Sequence, residues 1–102
     1  MKTKRISIAE DYTRYLGART GEGSGSEFFK LVLKPHLLKY EHVVICFDGT
    51  WGVSASWIGG LVIELKHIFQ SSRELERSIS IISEEDPREA EYILNTIRTC
   101  FE

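Results

Sequence analysis

The run His42-Val43-Val44-Ile45-Cys46-Phe47 restricts the fold of this 102-residue chain more than any other stretch. An almost unbroken series of β-forming residues predicts a strand that is buried on both faces, and such strands lie inside sheets covered by helices. The chain is long enough for one hydrophobic core and too short for two. We therefore expect a single domain over residues 1–102 with this strand at the centre of its sheet.

The segments around that strand alternate between strand and helix periodicity. Residues 4–8 and 78–82 place isoleucines at alternate positions, which predicts two further strands. Residues 26–37 and 58–69 place apolar side chains three and four positions apart, as in helices that bury one stripe, and residues 86–101 predict a third helix. The order strand, glycine-rich loop, helix, strand, helix, strand, helix is typical of an α/β layer with parallel or mixed strands.

Several residues mark where these helices begin and end. Ser24 and Glu27 fit a capping box in front of the first helix. Asp86 as N-cap and Pro87 at the first helical position predict the start of the third helix. Pro35 has no amide hydrogen and disfavours helical angles in the residue before it, so we expect the first helix to end or kink there.

Composition and charge exclude several classes of protein. The formal net charge is -2 and the basic residues are scattered, which gives nucleic-acid binding no support. No stretch approaches the roughly 20 apolar residues that span a bilayer, and the N-terminal MKTKRISIAED has no apolar signal region, so we expect a cytoplasmic protein without a membrane segment. Cys46 and Cys100 lack metal-ligand spacing, which favours two buried reduced thiols over a disulfide or a zinc site. We also expect no metal and no cofactor.

The stretch FDGTWGVSASWIGG, residues 47–60, is the main candidate for a functional site. It places an acid, two tryptophans and two serines after the central strand, at the edge where open α/β sheets usually bind ligands or partners. Exposed aromatic side chains at such a corner often anchor a protein partner. The candidates for partner binding or phosphorylation are Asp48, Thr50, Trp51, Ser54, Ser56 and Trp57.

The same residues also fit an ordinary strand-to-helix corner. In that interpretation Asp48 caps the turn, Ser54 or Ser56 is the helix N-cap, and Trp57 belongs to the core. We expect the helix to start at Ser56. Gly59-Gly60 would let the helix approach the sheet closely.

The glycine-rich stretch before the first helix offers an alternative function. Amides exposed in the loop at residues 17–26, together with the positive end of the helix dipole, would suit a nucleotide or another anion. Neither a P-loop nor a dinucleotide-binding glycine pattern is present, and a flexible or partner-binding loop explains the same composition. The anion-binding candidates are Arg19, Gly21, Gly23, Gly25 and Ser26.

Catalytic patterns are scarce in this sequence. His36, His42 and His67 show no metal-binding spacing, and no serine lies in a nucleophile-elbow pattern. The acidic run at residues 84–86 is explained by capping of the helix that follows. We therefore expect a protein without enzymatic activity.

Two segments taken together resemble a known family. GARTGEGSGSEFFKLVLKP followed by VVICFDGTWGVSASWIGGLVIEL looks like the STAS-like domain family, formerly a domain of unknown function, over roughly residues 5–70. The resemblance implies the fold of sulfate-transporter and anti-sigma-factor-antagonist domains. That fold is a small mixed sheet of about four strands with about three helices packed mainly on one face.

The resemblance also implies a bacterial regulatory role. In the antagonist branch, a partner kinase of the histidine-kinase-like ATPase class phosphorylates a serine at the start of the helix after the central strand, and the phosphate switches binding. Ser56 matches that position best, with Ser54 as second choice. We therefore expect a protein partner such as an ATPase or kinase-like regulator, bound through residues 48–60 and 17–26. A homodimer paired through the strand at 78–82 is a further alternative.

Overall fold

The computed structural model describes residues 2–102 of the chain. Three strands and several helices follow one another along it. In chain order they are β1 (Thr3–Ser7), α1 (Ile8–Asp11), α2 (Gly25–Phe28), a π-helical turn (Phe29–Leu33), α3 (Lys34–Leu37), β2 (His42–Cys46), α4 (Ala55–Leu65), α5 (Ser72–Ser78), β3 (Ile79–Ile82) and α6 (Pro87–Cys100).

The strands form one parallel sheet in the order β1-β2-β3, so the strand predicted to be central is central. Crossovers between parallel strands are almost always right-handed. Because the strand order follows the chain order, both crossovers progress in the same direction across the sheet. Their helices therefore lie on the same face.

That covered face of the sheet carries the hydrophobic core. Ile6 of β1 lies opposite Ile45 of β2, which in turn lies opposite Ile81 of β3. Trp57 of α4 is fully buried against this layer, and the centroid of its ring lies 6.0 Å from that of Phe47. The apolar stripes predicted from helical spacing on α4 and α6 supply much of the remaining core.

The opposite face of the sheet is open. Arg5, Val44 and Ser80 lie side by side across the three strands on this face, and Val44 is half-buried and outside the core cluster. Cys46, on the same face, is buried, so the expectation that β2 is buried on both faces is wrong at Val44 and correct at the carboxyl end of the strand. An apolar run of this length indicates a central strand. Whether each face of that strand is covered depends on where the crossover helices pack.

The sheet has three parallel strands in residues 2–102, not the mixed sheet of about four that the family resemblance implies. The chain has no strand between β1 and α2 because Ser7 caps α1 directly, with its Oγ accepting from the Glu10 amide at 3.3 Å. The loop that follows contributes only an isolated parallel bridge between Leu16 and Val53. The three-strand, alternating order read from the residue pattern is confirmed.

The helix from residue 25 does not end at Pro35. A π-helical turn at Phe29–Leu33 comes just before the proline, and α3 then continues through Pro35 to Leu37. The wider π turn shifts the carbonyl groups that a proline ring would otherwise meet in the preceding turn. The helix therefore accommodates the proline instead of stopping at it.

The helix termini follow their capping residues. Asp86 caps α6 and Pro87 opens it, as predicted. The short helix α5 was not predicted, although Ser71 caps it by accepting from the Glu74 amide at 3.1 Å. Both cysteines are free thiols, and Cys46 is buried as expected, whereas Cys100 is only half-buried. Across residues 2–102, none of the helices combines the length and the apolar character that a membrane span requires.

Candidate functional site

Asp48 ties two loops together at the carboxyl end of the sheet. Its Oδ1 accepts hydrogen bonds from the Glu85 amide at 3.0 Å and from the Ser83 hydroxyl at 2.8 Å. These bonds, led by the one from the Glu85 amide, lower the pKa of Asp48 to about 2. Glu85 returns the contact, since its Oε2 accepts from the Gly49 amide at 3.0 Å. The ionised carboxylate of Asp48 thus links the turn after β2 to the loop after β3 through hydrogen bonds.

The turn after β2 is closed by Thr50. Its hydroxyl donates to the Phe47 carbonyl at 2.8 Å, so Thr50 serves the turn itself. Gly49 and Gly52 have φ angles of +82° and +93°, which side chains of L-residues rarely tolerate. These glycines allow the chain to reverse twice before α4 begins.

Beyond this turn, residues 51–54 run beside residues 14–16. The Trp51 amide donates to the Arg14 carbonyl and the Ser54 amide donates to the Leu16 carbonyl, both at 2.9 Å. The pairing presents Trp51 and Tyr15 to solvent, with 76% and 68% of their surfaces exposed. An uncharged cleft of about 340 Å³ lies here and is lined by Tyr15, Leu16, Gly17, Trp51, Gly52, Val53 and Ser54.

Ser54, and not Ser56, is the N-cap of α4. Its Oγ accepts from the Trp57 amide at 3.1 Å and donates to the Gly17 carbonyl at 2.9 Å. The expectation that the helix starts at Ser56 is therefore wrong, because Ser54 has the extended backbone and the side-chain geometry of a cap. Ser56 lies in the first turn of α4 and is exposed.

Trp57 faces inward and belongs to the core. None of its surface is exposed, and its indole N–H donates to the Gly23 carbonyl at 3.0 Å. Of the two tryptophans proposed to meet a partner, only Trp51 lies on the surface. Trp57 instead holds the glycine-rich loop against α4.

Two glycines let that loop pack directly on α4. A Cβ atom at Gly60 would overlap the carbonyl group of Arg19, and one at Gly25 would lie 2.7 Å from the amide nitrogen of Leu61. Gly60 therefore makes room for the loop, whereas we expected Gly59-Gly60 to make room for the sheet. The guanidinium of Arg19 crosses Gly59, with its Nη2 3.4 Å from the position of a Cβ there.

Three amides of the glycine-rich loop, those of Gly23, Ser24 and Gly25, donate hydrogen bonds within the chain. The Gly23 amide donates to Glu27 Oε1 at 3.0 Å, and the Gly25 amide donates to the Ala18 carbonyl at 3.3 Å. The Tyr12 hydroxyl also donates to Glu27 Oε1, at 2.7 Å. This bond and the one from Gly23 lower the pKa of Glu27, while burial and the neighbouring carboxylate raise the pKa of Tyr12.

The carboxylate of Glu27 therefore accepts the Gly23 amide, one of the donors proposed for a bound anion. The other anion-binding candidates point elsewhere: Ser26 donates to Glu64 Oε2 at 2.9 Å, and Arg19 lies over α4. Gly21 has a φ of +86° and open space around it. Of the five candidates, Gly21 and Ser26 line one cleft, together with Glu27 and Lys30, and Arg19, Gly23 and Gly25 are not part of its lining.

Comparisons with protein-family models, curated proteins and solved structures find no match for this chain. The interpretation of its surface therefore depends on the geometry of its own residues. Within residues 2–102, no group of three or more His, Cys, Asp or Glu side chains is arranged to hold a metal ion.

Sequence reasoning missed two residues of this region. Tyr15 lies in a loop without periodicity, and only the pairing of residues 14–16 with 51–54 brings it beside Trp51. Ser83 lies 35 positions from its partner Asp48, a separation at which no sequence pattern predicts contact. The capping signal at Glu27 was recognised, but its bond to the Gly23 amide was not.

Proposed function

We propose that this chain is a non-enzymatic regulatory domain that binds a protein partner through the surface around Trp51. The observation that supports the proposal most directly is the exposed pair Tyr15 and Trp51, which flanks an uncharged cleft beside the start of α4. We call Tyr15, Trp51 and Ser56 the corner surface.

Aromatic side chains of this kind suit protein recognition. Tyrosine and tryptophan combine a large apolar area with few rotatable bonds and are enriched among the residues that dominate binding energy. Trp51 is held in place by its backbone bond to Arg14 rather than by burial of its ring. Its ring is therefore free to be covered by a partner without disturbing the fold.

Ser56 gives the corner surface a means of regulation. It is exposed in the first turn of the 11-residue helix α4, where a phosphate gains from the helix dipole and from amides that lack intrahelical partners. Arg19 crosses the same helix at Gly59, three residues further along. Ser56 follows Ser54, which lines the cleft, by two residues, so a phosphate on Ser56 would add about two negative charges next to the start of α4 and so change the interface.

The kind of partner follows from the resemblance to STAS-like domains. In that family's antagonist branch the partner is a kinase of the histidine-kinase-like ATPase class, and we propose a partner of this class here.

The bonds of Asp48 support a role without catalysis. Asp48 is the acid in the stretch at residues 47–60, and its carboxylate already accepts hydrogen bonds from the Ser83 hydroxyl and the Glu85 amide.

Partner binding is tested by capture from cells that produce the protein, followed by titration with the purified partner. Trp51→Ala is compared with Leu38→Ala, a control that removes an apolar side chain with 80% of its surface exposed away from the corner surface. We expect Trp51→Ala to weaken binding about thirtyfold, as for a dominant interface residue, and Leu38→Ala to leave it unchanged. A partner that binds both variants equally would contradict the assignment of the surface.

Regulation is tested separately with Ser56→Glu and with Ser72→Glu, which places the same charge in the first turn of α5. We expect only Ser56→Glu to change the affinity for the captured partner. Incubation of that partner with ATP and the wild-type chain should place phosphate on Ser56. Phosphate on Ser54 alone would contradict the choice of serine.

A further inference from the structure

A polar pocket lies on the open face of the sheet and has a lining separate from that of the neighbouring cleft beside Trp51. Its volume is about 320 Å³, and it is formed at the carboxyl ends of the strands. It is lined by Arg5, Ser7, Ala9, Glu10, Arg14, Cys46, Asp48, Gly49 and Glu85. Ligands of α/β proteins usually bind at this edge. The pocket is accessible here because both crossovers place their helices on the other face.

The two arginines of the pocket are not paired with carboxylates. Within residues 2–102 the ion pairs with N···O distances of at most 4.0 Å involve Lys30 and Arg98, and not Arg5 or Arg14. The Arg5 guanidinium donates only to the sulfur of Cys46, at 3.6 Å. Arg14 donates one bond to the Gly49 carbonyl at 2.9 Å. Most of their N–H donors therefore remain available, although three acids line the same pocket.

The acids of the pocket differ in how many of their carboxylate oxygens already accept hydrogen bonds. Asp48 is held by Ser83 and the Glu85 amide, and Glu85 uses Oε2 for the Gly49 amide. Among the described residues, Glu85 Oε1 and the carboxylate of Glu10 accept no hydrogen bond. The pocket thus presents guanidinium donors and carboxylate acceptors that form no ion pair with each other within 4.0 Å in residues 2–102.

This separation of charge restricts the ligand. Three carboxylates repel a ligand that carries only negative charge, and two guanidinium groups repel a ligand that carries only positive charge. The acids do not converge as metal ligands in residues 2–102. A molecule that carries a carboxylate and an ammonium group satisfies both sets, and the volume suits a small ligand. We infer that the pocket formed by Arg5, Arg14, Glu10 and Glu85 binds a free α-amino acid.

The two ends of such a ligand have distinct positions in the pocket. Arg5 supplies a guanidinium fork for the ligand carboxylate, the geometry in which arginine recognises carboxylates best. Arg14 supplies a second donor, and it approaches closely because Gly49 has no side chain: a Cβ there would lie 3.0 Å from Arg14 Nη1. The ligand ammonium meets Glu10 and Glu85. This inference does not depend on the proposed function of the corner surface.

The site is tested by nuclear magnetic resonance titration of the ¹⁵N-labelled chain with each of the common L-amino acids, at about 10 mM, well above the roughly 1 mM dissociation constant of a weak site. We expect saturable shifts of the Ala9, Cys46 and Gly49 amides with at least one of them. The same amino acid with an acetylated nitrogen, and the amine that lacks its carboxylate, should each bind at least about tenfold more weakly.

Variants separate this site from general charge effects. Arg5→Gln should weaken binding about tenfold or more with little change in the melting temperature, because Arg5 is exposed and its one hydrogen bond in residues 2–102 is the long contact with the Cys46 sulfur. Arg77→Gln, at the opposite end of β3, is the matched control and should bind like wild type. The inference is overturned if no amino acid shifts the pocket amides, if the acetylated compound binds equally well, or if Arg5→Gln binds as wild type does.

Discussion

Gly60→Ala provides the sharpest test of how the glycine-rich loop is held on α4. The new methyl group would lie 2.9 Å from the Arg19 carbonyl carbon, closer still to its oxygen, and 3.1 Å from the Ser26 amide nitrogen. All of these atoms are backbone, so relief requires movement of the loop or of the helix. Overpacking against backbone costs up to about 3 kcal/mol, and the gain in helix propensity returns about 1 kcal/mol.

The expected net loss is therefore about 2 kcal/mol, which corresponds to a melting temperature lower by roughly 8–16 °C for a domain of this size. Gly59→Ala is the matched control on the same helix. Its methyl group would meet only the Arg19 guanidinium, at 3.4 Å, and that flexible group can move aside. Helix propensity then dominates, and we expect a melting temperature higher by roughly 2–8 °C.

Thermal unfolding followed by circular dichroism measures both variants under the same conditions. The opposite signs at neighbouring positions exclude a general effect of adding a methyl group to α4. If Gly60→Ala were as stable as Gly59→Ala, the loop could not lie against α4 as described. The contacts that place Arg19 beside the first turns of α4 would then be wrong as well.

The remaining predictions concern caps and charges. Ser54→Ala should lower stability by about 1–2 kcal/mol in denaturant titration because it removes the N-cap of α4, whereas Ser56→Ala should be nearly neutral; equal effects would contradict the capping assignment. The pKa of Asp48 is lowered from 3.8 to about 2, so its stabilisation is complete above pH 3.8 and is lost as the pH falls through about 2. The stability difference between wild type and Asp48→Asn should therefore shrink over that range, and a constant difference would contradict the role of the charge. Burial and the charge of Asp86 raise the pKa of Glu89, so Glu89→Gln should melt slightly higher than wild type at pH 7 and lose that advantage at pH 4; a lower melting temperature at pH 7 would contradict this.

Local chemistry allowed much of the fold to be predicted. The apolar run at residues 42–47 identified the central strand, and the Asp86-Pro87 pair identified the start of α6, because backbone preference and capping act over a few neighbouring residues. The same kind of signal was present but overlooked for α5, whose N-cap Ser71 is followed by Glu74. The π turn before Pro35 had no comparable signal, since it depends on how the helix accommodates the proline.

The site could be predicted only as a stretch of chain. Residues 47–60 were identified as a corner, yet the sequence did not decide which serine caps α4 or which tryptophan is exposed. The contacts that decide these points, such as those of Ser54 with Gly17 and of Trp57 with Gly23, join residues more than thirty positions apart.

The sequence by itself determined the order of the three strands and of the three main helical segments, without α1 and α5, and the location of the corner, because periodicity, capping and turn preferences are local. Tertiary structure alone decided that Trp51 is exposed and that Trp57 is buried. It also decided that the Glu27 carboxylate accepts the Gly23 amide of the glycine-rich loop. It also decided that one face of the sheet stays open, with Arg5 and its neighbours around a pocket. These features depend on which distant segments pack together, and a packing surface is shared between residues that no local pattern connects.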